Sequence, residues 1–333
     1  MRRIAAAAFV LVTAAGCSLS TGSAPQDNSV TLVTHDSFVV RKELLDEFQK
    51  TSGLKVEVRK TGDAGALTNQ LVLTKANPIG DLAFGVDSTF ASRALQEGVF
   101  EPYASPDATK GPQRYKVDDS NRMTAVDVGD VCVNVHTPGL KGVPEPKTFE
   151  DLADPKYKDM FVVESPATSS PGLAFLLGTI KHFGENGWQD YWTKLKANGV
   201  KVADGWETAY TQDFSGTKGT KPIVVSYASS PAATPDTKAL LDTCYRQVEY
   251  AGVLTGAKRP DQAKKVLDWL ISQQFQAEVA DQMYVYPARE GVALPDAWQK
   301  AAPLPQNPGS LPADDVQRNR ESWVGTWRSL VQG

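Results

Sequence analysis

Short apolar runs alternate with amphipathic stretches along the first third of the chain. Strand-like runs at 30–34, 54–58 and 81–84 are separated by helix-period patterns at 40–51 and 67–76. Short apolar runs between helical segments are typical of a mostly parallel sheet with helices packed on it. The pattern therefore predicts an α/β lobe, in which ligands bind beyond the carboxyl ends of the strands.

The same alternation returns later, so a second α/β lobe is expected. Its strands are predicted at 161–164, 200–202 and 222–226, with helices from 173 to 180 and from 188 to 198. Long strand-like segments at 122–135 and 246–253 flank this unit, and we interpret the later one as a strand that crosses back to the first lobe. The prediction is an α/β fold of two lobes joined by crossing strands.

The N-terminus has the pattern of an export signal. Arg2 and Arg3 precede an apolar stretch at 4–12, and small residues follow up to Cys17. A Cys directly after such a site resembles a bacterial lipobox, which implies cleavage before Cys17 and a lipid on its thiol, although Ala14 stands where Leu is usual. The alternative is an ordinary signal peptide. We expect a signal peptide at 1–17, a flexible Ser/Thr/Gly-rich tether at 18–28, and a body on the outer face of the cell membrane.

Composition narrows the class of function. The 333 residues carry a formal net charge of −4 without a basic stripe, so nucleic acid is not an expected partner. The three histidines, His35, His136 and His182, show no metal-ligand spacing, and the chain contains no nucleophile elbow or phosphate-binding loop. These observations favour capture of a small molecule over catalysis, with no metal and no cofactor.

Two cysteines remain in the body. Cys132 and Cys244 each lie in a strand-like segment. An exported chain meets an oxidising compartment, where a disulfide can form. A disulfide between them and two separate buried thiols both remain open from the sequence.

Polar side chains follow the predicted strands of the first lobe. His35 and Asp36 follow one strand, and Asp87 and Ser88 follow another. Such residues often cap the next helix, but two clusters at one edge of a sheet favour a binding site. Asp127 lies between two valines, where a buried carboxylate needs a partner or a cation.

In the second lobe, a strand at 161–164 leads through a polar loop into an apolar helix. Ser170 is the expected N-cap, Pro171 the first helical residue, and Gly172 leaves the N–H groups of the first turn unshielded. With Ser169 alongside, this helix end is predicted to attract an anion; the alternative is a capped helix and nothing more. Trp206, Tyr210, Tyr227 and Ser230 at strand ends are predicted ligand walls.

Taken together, seven stretches resemble the thiamine-binding subfamily of ABC-importer solute-binding proteins, which have the type II periplasmic-binding fold. They are THDSF at 34–38, GVDS at 85–88, DVG at 127–129, TSSPG at 168–172, GWETAY at 205–210, SYASSP at 226–231 and YVYP at 284–287. The resemblance implies a monomer that closes two lobes around thiamine, its monophosphate or its diphosphate, and then docks on a membrane permease. It assigns 29–126 and 252–333 to the first lobe and 127–251 to the second.

The resemblance also implies roles for single residues. The loop at 168–172, with Trp206 and Tyr227, would hold the hydroxyethyl or phosphate end of the ligand. Asp87, Ser88 and Asp127 would face its cationic part, and Tyr284 would stack on a ring. His35 stands where the family often has Tyr. The predicted ligand-binding residues are therefore His35, Asp36, Asp87, Ser88, Asp127, Ser169, Ser170, Gly172, Trp206, Tyr210, Tyr227, Ser230 and Tyr284.

Four other functions are weighed as alternatives. One is a surface interaction protein without a small ligand, and the paired clusters at the strand ends argue against it. Ferric iron in the same fold is usually bound by two adjacent tyrosines, but Ala228 follows Tyr227. A polyamine could use Asp36, Asp87 and Asp127. A lipid-anchored hydrolase would need a nucleophile and a base, and no such set is recognisable.

Overall fold

The computed structural model describes residues 28–333. The predicted signal peptide, Cys17 and all but the last residue of the predicted tether lie outside this range. The strands are β1 (Ser29–Thr34), β2 (Lys55–Lys60), β3 (Leu82–Asp87), β4 (Thr124–Val128), β5 (Val131–His136), β6 (Phe161–Glu164), β7 (Lys201–Ala203), β8 (Ile223–Tyr227), β9 (Thr237–Tyr245), β10 (Val248–Val253) and β11 (Tyr286–Pro287).

The helices lie between these strands and at the C-terminus. They are α1 (Lys42–Ser52), α2 (Ala64–Leu73), α3 (Ala91–Gln96), α4 (Phe149–Leu152), α5 (Ser170–Ala197), α6 (Trp206–Thr208), α7 (Pro260–Leu270), α8 (Gln273–Gln276), α9 (Val279–Met283), α10 (Asp296–Ala301) and α11 (Ala313–Val331). No helix within residues 28–333 is both long and apolar enough to cross a membrane.

The first sheet has six strands in the order β11-β4-β10-β3-β1-β2. β1 pairs in parallel with β2 and β3, as the alternating pattern predicted. β10 is antiparallel to both β3 and β4. All six residues of β3 are buried, because helices pack on both faces of the sheet. This arrangement brings the ends of β1, β3 and β4 to one edge.

The second sheet has five strands in the order β7-β6-β8-β5-β9. β6 is parallel to β7 and β8, and β5 is antiparallel to β8 and β9. The long helix α5 packs against this sheet. The backbone of α5 is not helical at Gly184, where φ is 71° and ψ is 174°, so α5 consists of two helical segments, as the sequence predicted. A glycine adopts these angles without strain.

The chain crosses between the sheets twice, at 129–130 and at 246–247. These positions are a few residues from the lobe boundaries expected from the sequence. Arg246 donates hydrogen bonds to both carboxylate oxygens of the buried Asp130, one of them at 3.2 Å. Two residues from this pair along each strand of the second sheet, Cys132 and Cys244 form a disulfide. The two crossing segments are thus joined to each other.

The C-terminal helix α11 contacts both halves of the molecule. Its Trp327 is fully buried and packs edge-on against Trp192 of α5, with ring centroids 5.5 Å apart. Its Arg320 lies over the ring of Phe90, which precedes α3, at 5.7 Å. The sequence assigned this segment to the first lobe alone, whereas the helix packs against helices of both lobes.

Candidate functional site

Three buried carboxylates form a row across neighbouring strands of the first sheet. In the register of β10, Glu249 lies opposite Asp87 of β3 on one side and opposite Asp127 of β4 on the other. Residues directly opposite in antiparallel strands point to the same face. We call Asp87, Glu249 and Asp127 the carboxylate row; Glu249 was not predicted.

The members of the carboxylate row differ in how many hydrogen bonds their oxygens accept. Asp87 accepts hydrogen bonds from the amide and hydroxyl of Thr89 at 2.7 and 2.6 Å, so it caps the turn that follows β3. Its other oxygen accepts from Gln247 at 3.3 Å. Glu249 pairs with His35 at 3.1 Å and with Gln247 at 3.2 Å. Among the residues described, neither oxygen of Asp127 has a hydrogen-bond partner.

Burial controls the charge of this row. It raises the pKa of Asp87 to about 7. It raises the pKa of Asp127 well above its ordinary value, and the charges of Glu249 and Asp87 raise it further. Burial opposes ionisation of Glu249 and His35 too, but their mutual attraction outweighs it, so the pKa of Glu249 is lowered and that of His35 is raised. The row can therefore accept further positive charge.

The His35 ring occupies space that a side chain at position 85 would fill. Its ring lies against β3 at Gly85, where a Cβ would be 2.0 Å from the ring atom Cδ2. Gly85 also has a φ of 104°, which L side chains rarely adopt. Any other residue there would displace the His35 ring and break its contact with Glu249.

Aromatic side chains form the opposite wall of the cleft. Trp206 stacks on Tyr210 with ring centroids 4.8 Å apart, and its indole N–H donates to Ser226 at 2.9 Å. Tyr227 lies 6.2 Å from Trp206 between centroids. Tyr284 comes from the first lobe, has a φ of 57° and is 43% exposed. The polar and aromatic lining of the inner cavity is His35, Ser37, Asp63, Trp206, Tyr227, Ser230, Glu249 and Tyr284.

The cleft is closed, because hydrogen bonds run directly from one lobe to the other. The Ser170 hydroxyl donates to Asp87, and the Ser229 hydroxyl donates to the carbonyl of Tyr284. Ser37 donates to Glu207 at 3.1 Å. The inner cavity retains a space of about 30 Å³. A ligand must separate these contacts before it enters.

The start of α5 differs from its prediction by one residue. Ser169, not Ser170, is the N-cap, so Pro171 is the second helical residue. Ser169 is fully buried, and its hydroxyl makes no capping hydrogen bond to the residues described. A Cβ at Gly172 would lie 2.5 Å from the carbonyl oxygen of Glu164. Gly172 is thus required for packing of the helix against β6.

An anion does lie at this helix end, and it belongs to the protein. The Asp63 carboxylate accepts from the Trp206 amide at 2.9 Å and from the Ser170 amide at 3.4 Å. The sequence prediction missed Asp63. Its position before α2 marked it only as an N-cap, and its contact with the second lobe depends on lobe closure.

Of the thirteen predicted residues, five line the inner cavity, namely His35, Trp206, Tyr227, Ser230 and Tyr284, and eight do not. Three of these eight have other contacts. Asp36 is exposed in the outer cleft and accepts from the Gly62 amide at 2.9 Å. The Ser88 hydroxyl accepts from the Val248 amide at 3.2 Å. Tyr210 packs behind Trp206, and its hydroxyl is 2.8 Å from that of Thr234. Within 28–333, no group of three or more His, Cys, Asp or Glu is arranged to hold a metal ion.

Two α/β lobes around a closed, charged and aromatic cleft are the architecture of a protein that encloses a small ligand. The family model described as "Bacterial extracellular solute-binding protein" matches residues 77–308, and the chain belongs to this family. Such proteins bind a small ligand outside the cytoplasm and deliver it to an ABC permease, so the predicted fold, binding role and transport partner are confirmed.

Named relatives and solved structures agree with this assignment. The chain is 30% identical to the "Thiamine-binding periplasmic protein" of Brucella suis over 92% of each chain. It is 27% identical to the Escherichia coli protein of the same name, over 91% of this chain and 93% of that one. The solved structure titled "Periplasmic thiamin binding protein" superposes with a TM-score of 0.82 at 24% identity, covering 91% of this chain and 96% of the other.

Proposed function

We propose that this protein captures thiamine or its phosphate esters and delivers the ligand to an ABC permease. The observation that carries the proposal is Glu249, which lines the inner cavity together with the aromatic side chains and has Asp87 and Asp127 buried on either side of it. The thiazolium ring of thiamine has a fixed positive charge, which suits buried carboxylates and aromatic faces. The names of the relatives at 27–30% identity point to the same ligand.

The proposed mechanism is lobe closure without covalent chemistry. The lobe of the first sheet, outside the crossings at 129–130 and 246–247, presents the carboxylate row, and the lobe between these crossings presents Trp206 and Tyr227. A cation held between them favours the closed form by its higher affinity for that form. Tyr284 closes over the cavity from the first lobe, where its ring can stack on the ligand.

Isothermal titration of the purified protein with thiamine, its monophosphate, its diphosphate, spermidine and ferric citrate tests this proposal. We expect a thiamine form to bind most tightly. Tight binding of spermidine would instead assign the carboxylate row to a polyamine. Binding of ferric citrate alone would contradict a site built for an organic cation.

We also propose that a lipid on Cys17 holds the protein at the outer face of the membrane, where it works as a monomer. The support is the small-residue segment before Cys17 and the polar segment after it. Replacing Cys17 with Ser should move the protein from the membrane fraction to the soluble fraction. Retention of the variant in the membrane would exclude this anchor, and gel filtration tests the monomer.

A further inference from the structure

A cavity of about 280 Å³ lies on the first lobe, and all of its lining residues come from 103–125. We call it the lateral cavity. Thr124, the first residue of β4, lines it, whereas Asp127 of the same strand belongs to the carboxylate row. The two residues are about 10 Å apart along an extended strand. Among the described residues, none that lines the lateral cavity also lines the inner cavity or the outer cleft, so it is separate from the solute site.

The loop between α3 and β4, which forms the wall of the lateral cavity, is held in place from outside. Asp268 of α7 accepts hydrogen bonds from the hydroxyls of Tyr103 and Ser105 at 2.7 and 2.6 Å. Arg289 donates to Asp107, in the same loop, at 2.9 Å. These contacts use groups that face away from the cavity or lie beside it. The wall is thus shaped before a ligand arrives, which lowers the entropic cost of binding.

A buried hydroxyl in the lateral cavity lacks a partner. Thr124 is 7% exposed, and its hydroxyl makes no hydrogen bond within the described part of the chain. The hydroxyls of Tyr103 and Ser105, in the same lining, are both engaged by Asp268. A buried polar group without a partner is costly. A ligand that exchanges a hydrogen bond with Thr124 would remove this cost.

The rim of the lateral cavity is polar but carries no net charge. Thr109, Gln113 and Asn121 are exposed and uncharged, and their side chains make no hydrogen bonds to other described residues. They lie on two sides, because the first two come from the wall loop and the third from the segment that enters β4. The charged residues of the rim, Lys116 and Asp119, pair with each other. The site therefore suits an uncharged ligand with polar groups on more than one side.

The floor of the lateral cavity is apolar, since Pro112, Met123 and Ala125 are buried there. A sugar or cyclic polyol has apolar C–H faces and hydroxyl groups around its ring, which matches this floor and rim. A flat base would need an open aromatic face. The ring of Tyr103 has the Lys264 ammonium group over it, 5.8 Å from the centroid. The lining thus favours a hydroxylated ring over a base.

We propose that the lateral cavity is a second binding site, which takes an uncharged, hydroxylated ring of monosaccharide size. Its volume is near the lower end of the range for small-molecule sites, about 300–1,000 Å³. Thr124 donates or accepts at the floor, and the neutral side chains of the rim bind the outer hydroxyls. This site goes beyond the proposed transport function and does not depend on which solute the cleft holds.

Two variants test the site, and a third is the matched control. Thr124→Val removes the hydroxyl and keeps the shape of the side chain. Ala108→Leu fills part of the cavity from the wall. Thr34→Val is the control, because Thr34 is also a buried strand residue of the first sheet whose hydroxyl has no partner among the described residues, and it does not line the lateral cavity.

The purified proteins are titrated calorimetrically with D-glucose, D-ribose, myo-inositol and uracil, after their melting temperatures have shown that they are folded. We expect the unmodified protein and Thr34→Val to bind at least one of the three polyols equally well. Thr124→Val should bind it about five- to tenfold more weakly, the usual effect of one lost hydrogen bond. Ala108→Leu should not bind it. Tighter binding of uracil than of any polyol, no polyol binding, or equal binding by all variants would overturn the proposal.

Trp206→Ala separates the lateral cavity from the cleft. This variant should lose affinity for thiamine and keep its affinity for the polyol. Loss of polyol binding in Trp206→Ala, with binding retained in Ala108→Leu, would place the polyol in the cleft and overturn the second site. If no thiamine form binds the unmodified protein while the polyol results are as expected, the thiamine proposal fails and the lateral site stands.

Discussion

At the scale of single residues, the buried carboxylates of Asp127 and Asp81 differ in whether they have hydrogen-bond partners. Asp81 is 3% exposed and accepts from the amides of Thr31 and Arg259 at 2.9 and 3.0 Å. Asp127 is fully buried and, within the described part of the chain, has no partner for either oxygen. A buried polar group without a partner costs stability, and from this cost we predict that Asp127 serves ligand binding.

Replacing Asp127 with Asn should therefore stabilise the ligand-free protein and weaken binding. We expect the free energy of unfolding at pH 8 to rise by roughly 1–2 kcal/mol, because a neutral amide replaces an unpaired buried carboxylate. Affinity for the cation should fall about 10- to 100-fold, the usual range for a lost charge-assisted contact. Urea unfolding and isothermal titration measure the two effects.

Asp81→Asn is the matched control for this substitution. The two backbone N–H groups donate to different oxygens of Asp81, and in the variant the NH2 group would face one of them, so this variant should lose stability and keep its affinity. If Asp127→Asn behaved like Asp81→Asn, Asp127 would be a structural residue without a part in binding.

At the scale of elements, much of the site could be predicted from strand ends. Asp127 stood out because a carboxylate inside an apolar strand has no local explanation, and Asp87 stood out because two polar clusters follow strands at one edge of the sheet. Glu249 carries the same signal within 248–253, but its importance depends on β10 pairing with both β3 and β4. Such antiparallel pairings join distant parts of the chain, and local periodicity does not encode them.

The start of α5 shows the limit of local rules in another way. Ser169, Ser170 and Pro171 all suit a helix start, and capping preferences alone do not choose among them. The choice is made by tertiary contacts, because the Ser170 hydroxyl bonds to Asp87 of the other lobe. The anion preference of this helix end was predicted, whereas its occupant, Asp63, was not, since it approaches only when the lobes close.

The carboxylate row predicts opposite pH dependences for stability and for binding. The pKa of Asp87 is raised from 3.8 to about 7, so the folded protein holds a proton that the unfolded chain releases. Stability of the ligand-free protein should fall as the pH rises from about 4 to about 7. His35, whose pKa is also raised, contributes stability that is lost as the pH rises through its folded pKa. A bound cation favours ionised Asp87, so affinity should rise up to about pH 7 and then level off.

Unfolding curves and titrations across this pH range measure both trends. Titration at pH 6 in buffers of different ionisation enthalpy should show proton release on binding. Asp87→Asn should flatten both pH profiles below pH 7. An affinity that stays constant between pH 5 and pH 8 would mean that the row does not change its protonation when the ligand binds.

At the scale of the whole molecule, two lobes are joined by two crossings, and these crossings are tied together. The disulfide links residues 112 positions apart, just inside the second lobe, and the Arg246–Asp130 pair lies beside it. Because the crossings cannot separate, closure is a rotation of one lobe against the other about a single joined segment. α11, which packs against both lobes, limits the same motion from the C-terminal side.

Replacing Cys132 and Cys244 together with Ser should lower the free energy of unfolding by about 2–5 kcal/mol, the usual loss for a disulfide that closes a long loop. Cation affinity should change little, because the cavity lining does not include the disulfide. Guanidinium unfolding with and without reductant measures the loss. Equal stability of the oxidised and reduced proteins would show that the bond adds nothing to the fold.

The disulfide also bears on the timing of folding. Its two cysteines remain thiols in a reducing cytoplasm and pair only in an oxidising compartment. A newly made chain inside the cell therefore lacks the stability that the bond supplies, and stays closer to the unfolded form that translocation requires. Once outside, oxidation makes the fold more stable. A single covalent bond between the crossings thus helps to ensure that the protein completes its folding only where its solute is found.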